Sequence, residues 1–203
     1  MLSGDHRKDQ MITDEAREWS HHQEMKFSTV LYRRNRDIDF SLFQHLLSTP
    51  PMKILDLGCN GSYVAQKLCQ MGYDAYGADL PAVVRQAQRD YPEASDRLLT
   101  CNLDTGEIPG NGYDLVLALG VIEHLVCYEG FFGKVARALR SGSIVFVSTC
   151  NRDAIETERH HYHHFSAGEL EALAQGAQLE TISIATPSRT SLIGAFRKLR
   201  VKA

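Results

Sequence analysis

Between residues 54 and 65 the chain reads ILDLGCNGSYVA, and its first candidate chemistry lies in Asp56, Gly58, Cys59 and Gly61. A glycine turn joining an apolar run to a helical run leaves backbone N–H groups unsatisfied at the helix start. The missing Cβ also lets a ligand approach the chain closely. The dinucleotide fingerprint G-x-G-x-x-G is not matched by Gly58-Cys59-Asn60-Gly61. Asp56 precedes the first glycine, and a carboxylate there repels a pyrophosphate but attracts an ammonium or sulfonium group. Asp79 lies 21 residues beyond Gly58, near the offset of about 20 residues at which an acidic side chain accepts hydrogen bonds from ribose hydroxyls. The two carboxylates together describe a nucleoside that carries a positive group. Cys59 has no basic neighbour in sequence to activate it as a nucleophile.

Proton chemistry is available further along. Glu123 and His124 follow an apolar run, and an imidazole with an ordinary pKa near 6.5 suits the work of a general base. His124 is therefore the candidate base, against the simpler reading that both residues cap the next turn. His160, His161, His163 and His164 form HHYHH. Imidazoles with Glu123 would suit a divalent ion, but no spacing here defines a coordination geometry, so no metal ligand is assigned. Arg33, Arg34 and Arg36 could hold an anionic substrate or a cofactor carboxylate, although a solvated helix face is the simpler expectation.

The elements that must position these residues alternate between short apolar runs and amphipathic stretches, the signature of β-α-β units around a parallel sheet. Strands are expected at KILDLG (53–58), DAYGADL (74–80), RLLTCNLD (97–104), YDLVLALG (113–120), SIVFVST (143–149) and LETISIATP (179–187). Helices are expected at 62–72, at 81–92 with proline in its first turn, at 130–142, and at 166–177, where Ser166 and Glu169 spell a capping box. Residues 1–50 begin polar and then carry apolar positions from Phe27 to Leu47, suggesting one or two helices packed on the sheet. This divides the chain into an N-terminal helical cap over 1–50 and a ligand-binding domain over 51–203. TPSRTSLIGAFRKLRVKA contains no clear final strand, and its basic end FRKLRVKA reads most simply as an exposed terminal helix. The sheet edge would then be incomplete, or completed by a second subunit in a homodimer.

ILDLGCNG, YGADL, YDLVLALGVIEHL, LRSGSIVFVSTCN and HHFSAGEL resemble the successive motifs of class I S-adenosylmethionine-dependent methyltransferases, over roughly residues 53–186. IEHL and FSAGEL are similar to the branch of ubiquinone-biosynthesis O-methyltransferases and related small-molecule enzymes. The resemblance implies an α/β fold with a doubly wound, mainly parallel Rossmann-like sheet and S-adenosylmethionine as cofactor. It implies that Asp56, Gly58, Cys59 and Gly61 surround the methionine part and that Asp79 holds the ribose. Leu80 would pack on adenine, Asn102 and Leu103 would meet the adenine edge, and the backbone of Leu119 or Gly120 would face the methionine amino group. The acceptor would be a small molecule methylated on oxygen, with nitrogen as the alternative. Family members usually read D-x-G-C-G-x-G or D-x-G-C-N-x-G. This chain is one residue short of that, or has Ser62 in place of the last glycine, so a non-catalytic binding module with a degenerate turn is the rival reading.

Composition narrows the partners. With 203 residues and 43% hydrophobic content the chain can bury a core. A net charge of -3 supplies no basic field for phosphate backbones, so no nucleic acid partner is expected. The longest apolar run, LVLALGVI (115–122), falls far short of the roughly 20 residues that span a bilayer. Five cysteines without a C-x-x-C pair indicate reduced thiols, and the start of the chain lacks the pattern of a secretory signal. A cytoplasmic location is expected.

Overall fold

The structure is a computed structural model, and it describes residues 12–13, 30–152 and 160–200. The polar leader, Phe27, part of the segment between residues 150 and 165, and the last three residues lie outside the described residues.

Seven strands form one sheet: β1 (Lys53–Leu57), β2 (Asp74–Asp79), β3 (Leu98–Thr100), β4 (Tyr113–Leu119), β5 (Leu139–Cys150), β6 (Leu179–Ser188) and β7 (Ser191–Lys198). Their order is β3-β2-β1-β4-β5-β7-β6. The first five run parallel, and β7 is antiparallel to both of its neighbours. Beside them lie α1 (Val30–Phe43), α2 (Tyr63–Gln70), α3 (Pro81–Asp90), α4 (Phe131–Ala138) and α5 (Ala167–Gly176).

Strands β1 and β4 are buried almost throughout, as expected where helices cover both faces of a parallel sheet. Successive residues serve opposite faces because the side-chain period of a strand is two. Leu55, Val116, Val145 and Val147 meet Phe131, Phe132 and Val135 of α4 and Leu170 of α5. Ile54, Leu115, Leu117 and Phe146 meet Phe40 and Phe43 of α1 and Val64 and Leu68 of α2. Each fully buried phenylalanine among these contributes roughly 1.5–3 kcal/mol relative to an exposed one. The fold is thus the doubly wound α/β sheet read from sequence, with a helix from the N-terminal region laid on one face. Ser166 caps α5 by accepting from the Glu169 backbone N–H at 3.3 Å.

Two expectations are corrected. The helix read over 130–142 ends at Ala138, and β5 begins at Leu139. Leu139 is buried and pairs with Tyr113 across a bulge, while Gly142 takes a left-handed φ of +84°. Tertiary pairing thus overrides the helical preference of ARALR. The C-terminal segment is not a helix: β7 inserts between β5 and β6, and Phe196 is fully buried 5.3 Å from the Phe132 ring. Gly194 breaks the apolar pattern in sequence because a Cβ there would fall 2.6 Å from the Phe196 ring. With β7 in place, the missing edge strand no longer argues for a second subunit. No helix among the described residues is long and apolar enough to cross a membrane.

Candidate functional site

The carboxyl ends of β1, β2, β3 and β4 open on one cleft, as expected for an open parallel sheet. Its volume is about 750 Å³ including the solvent at its mouth, within the range of small-molecule sites.

At the β1–β2 end the turn is held by backbone. The N–H groups of Gly58 and Cys59 both donate to Ala78 O, at 2.8 and 3.2 Å. Gly58 has φ +65°, and a Cβ on it would lie 2.5 Å from Val121 Cγ2. Ser62, the residue at which the usual glycine pattern breaks, keeps a left-handed φ of +61° at a cost on the order of 1 kcal/mol. Asp79 is buried at the end of β2, where its carboxylate accepts from the Asn60 N–H at 2.8 Å and the Leu80 N–H at 2.7 Å. Burial raises its pKa to about 6, and those two N–H groups oppose the rise. Asn60 Oδ1 is buried and has no hydrogen-bond partner.

Asp56 lies deeper, and burial raises its pKa to about 7, with Arg36 opposing and Asp79 adding to the rise. Arg36 departs from the solvated-face expectation. It reaches from α1 to donate to Leu119 O at 3.1 Å while pairing with Asp39 at 2.9 Å. Arg33 and Arg34 are exposed.

After β3, Asn102 Oδ1 accepts from the Asp104 N–H at 3.0 Å, and Asp104 Oδ1 accepts from the Cys127 N–H at 2.8 Å. These bonds join the loops that follow β3 and β4. Beyond β4 a single helical turn, Ile122–His124, carries the other polar pair. Glu123 is buried, accepts from Thr149 Oγ1 at 2.8 Å, and has its pKa raised by that burial. His124 Nδ1 lies 2.8 Å from His160 O. A carbonyl can only accept, so Nδ1 carries the proton and Nε2 presents a lone pair in the neutral ring.

Of the residues singled out in sequence, Gly58, Asp79, Leu80, Asn102, Leu103 and His124 line the cleft. Asp56, Cys59, Gly61 and Leu119 are buried and do not line it. Cys59 instead packs with Val84 and Ala87 of α3. Ile12, Val121 and Tyr162 also line the cleft, and nothing in their local sequence marks them. The histidine run divides: His163 bonds Glu169 at 2.6 Å and stacks on Tyr128, whereas His161 Nδ1 faces His164 Nε2 at 2.9 Å.

Comparison with known proteins places this geometry among relatives. A family described as "Methyltransferase domain" matches residues 30–184. The ubiquinone biosynthesis O-methyltransferase of Chelativorans sp. (strain BNC1) is 30% identical over 104 residues, which cover 50% of this chain and 41% of that protein. The chain therefore aligns with less than half the length of that curated relative. Among solved structures, the PH0226 protein of Pyrococcus horikoshii OT3 superposes with a TM-score of 0.68 at 13% identity, covering 85% of this chain and 93% of that one. The phosphoethanolamine N-methyltransferase 2 of Haemonchus contortus, solved with S-adenosyl-L-methionine, gives 0.69 at 14% identity, covering 82% of this chain and 53% of that one. These two likenesses concern the fold.

Proposed function

The chain belongs to the methyltransferase-domain family, and from that premise we propose that it moves the methyl group of S-adenosylmethionine to an oxygen of a small molecule. The observation that carries the reading is the buried Asp79 beside the left-handed Gly58 turn, in the same cleft as His124.

The residues present fit the cofactor. Asn60 Oδ1 lacks a partner at the cleft wall, and glycine at 58 and 120 leaves room for close approach by a ligand. Asp79 would hold the ribose hydroxyls, Leu80 and Leu103 would pack on adenine, and Asn102 would meet its edge. Asp56 and Leu119 O provide negative charge toward the methionine ammonium, while the Arg36 guanidinium beside Leu119 suits its carboxylate. When bound, the cofactor supplies a methyl carbon activated by cationic sulfur.

The chain's own work is to align the acceptor, exclude water and accept a proton. His124 is placed for the last task because His160 O holds the proton on Nδ1, leaving Nε2 as the base. Oxygen as the acceptor atom rests on the name borne by the curated relative, and the acceptor's identity is open to screening.

The test is calorimetric titration of the purified chain with S-adenosylmethionine and S-adenosylhomocysteine, repeated with Asp79→Ala. Saturable binding that weakens roughly tenfold or more in the variant is expected, from loss of two charge-assisted hydrogen bonds. No binding of either ligand by the folded wild-type chain would reject the reading in favour of a non-catalytic module.

A further inference from the structure

We propose that Cys150, His161 and His164, with the Glu123 carboxylate behind them, form a binding site for one divalent transition-metal ion of the zinc class. The site goes beyond the methyl-transfer reading and does not depend on it.

The ligand atoms come from three places in the chain. Cys150 ends β5, His161 and His164 come from the segment before α5, and Glu123 sits on the turn after β4. Donor atoms of Cys150, His161 and His164 all lie within 4.8 Å of one another, and those of Glu123, His124 and His161 do the same. His161 is common to both groups. Glu123 Oε1 lies 3.7 Å from Cys150 Sγ, so that carboxylate is the natural fourth donor beside the thiol. Zinc bonds of about 2.3 Å to sulfur and about 2.0–2.1 Å to nitrogen put tetrahedral donors roughly 3.3–3.6 Å apart. The 2.9 Å between His161 Nδ1 and His164 Nε2 and the 3.7 Å between carboxylate and thiol bracket that spacing, so small side-chain rotations close the site.

Backbone contacts hold the donors in place. The Tyr162 N–H donates to Glu123 O at 2.8 Å, the Phe165 N–H to Cys150 O at 3.4 Å, and the Arg152 N–H to Phe165 O at 3.1 Å. Arg152 Nε also donates to His164 O at 3.0 Å. Thr149 Oγ1 orients the carboxylate through Glu123 Oε2, the kind of outer contact that tunes a metal ligand. A thiolate, two imidazoles and one carboxylate favour zinc-like ions over magnesium or calcium, which prefer all-oxygen shells. His124 is left to the cleft, its ring edge-on to His161 with centroids 4.6 Å apart. Metal at the site would lock the segment that supplies His160 O, and so the His124 tautomer.

The full chain, stripped with a chelator, is titrated with Co²⁺ and then with Zn²⁺ in competition with a chromophoric chelator. One equivalent of Co²⁺ should give tetrahedral absorption with a thiolate-to-cobalt charge-transfer band, and Cys150→Ser should remove that band. His161→Gln and His164→Gln should each weaken Zn²⁺ at least 100-fold, while His163→Gln, whose imidazole is bonded to Glu169, should change it by less than about threefold. If His161→Gln fails to fold, judged by circular dichroism, Cys150→Ser and His164→Gln carry the test. No binding, an octahedral spectrum without the thiolate band, or equal losses in all three histidine variants would overturn the proposal. No step of the titration uses cofactor or turnover. A chain that binds zinc but not S-adenosylhomocysteine, or the reverse, therefore separates failure of this site from failure of the methyl-transfer reading.

Discussion

At the β1–β2 end of the cleft, polar contacts are made largely by backbone and span few residues, whereas at the β4–β5 end they are made by side chains from distant parts of the chain. Asp79 is held by the N–H groups of Asn60 and Leu80. Glu123 meets Thr149 and Cys150, and His124 meets the carbonyl of His160, 36 residues on. Backbone donors in a left-handed turn are preorganised by φ values, so that end tolerates little change at its glycines. Side-chain contacts between loops depend on each loop being docked, so that end should respond to whatever anchors residues 160–164.

The largest expected effect is on stability against pH, and it belongs to the first end. Asp56 and Asp79 have folded-state pKa values raised to about 7 and about 6 from an ordinary 3.8. For a raised group, the stabilising contribution is complete below the unfolded value and is lost as pH rises through the folded one. The ligand-free chain should therefore lose several kcal/mol between about pH 4 and pH 7, and Asp56→Asn should flatten that fall in denaturant titrations. An unchanged profile would place the titration elsewhere. Cofactor binding, which needs Asp56 ionised opposite an ammonium, should tighten over the same window and release protons, measurable by calorimetry in buffers of different ionisation enthalpy.

Next in size is Gly58→Ala, which puts a Cβ 2.5 Å from Val121 Cγ2 at φ +65° and should cost about 3 kcal/mol. Adding Val121→Ala should recover the steric part but not the strain, as thermal melts would show. A melting temperature equal to wild type would mean that the turn is not rigid. At the other end, His124→Gln should leave the fold and S-adenosylhomocysteine affinity unchanged while lowering kcat roughly 100-fold or more, measured once an acceptor is found. Unchanged kcat would move the base elsewhere. The smallest effect is Ser62→Gly, where relief of left-handed strain slightly exceeds the added entropy of glycine, for a gain of about 0.5 kcal/mol by denaturant unfolding.

Much of the first end was legible in the sequence. Gly58, Asn60 and Asp79 sit in or next to strand termini whose positions follow from apolar period and turn residues, and their contacts close over about 20 residues. Strand β7 was not legible, because Gly194 interrupts its pattern for the sake of the Phe196 ring. Neither was Arg36, whose place at Leu119 O depends on how α1 lies across the sheet. The histidine run was visible only as composition: which rings face Cys150 and Glu123, and which one faces Glu169, depends on how the segment docks.

Sequence alone determined the parallel core and the acidic glycine turn, since both are written in short-range periodicity and in backbone conformations that few residues accept. Tertiary structure alone decided the antiparallel edge, the cation at the end of β4 and the Cys-His-His-Glu cluster. Each of those joins segments tens of residues apart, and such contacts are set by packing rather than by local conformational preference.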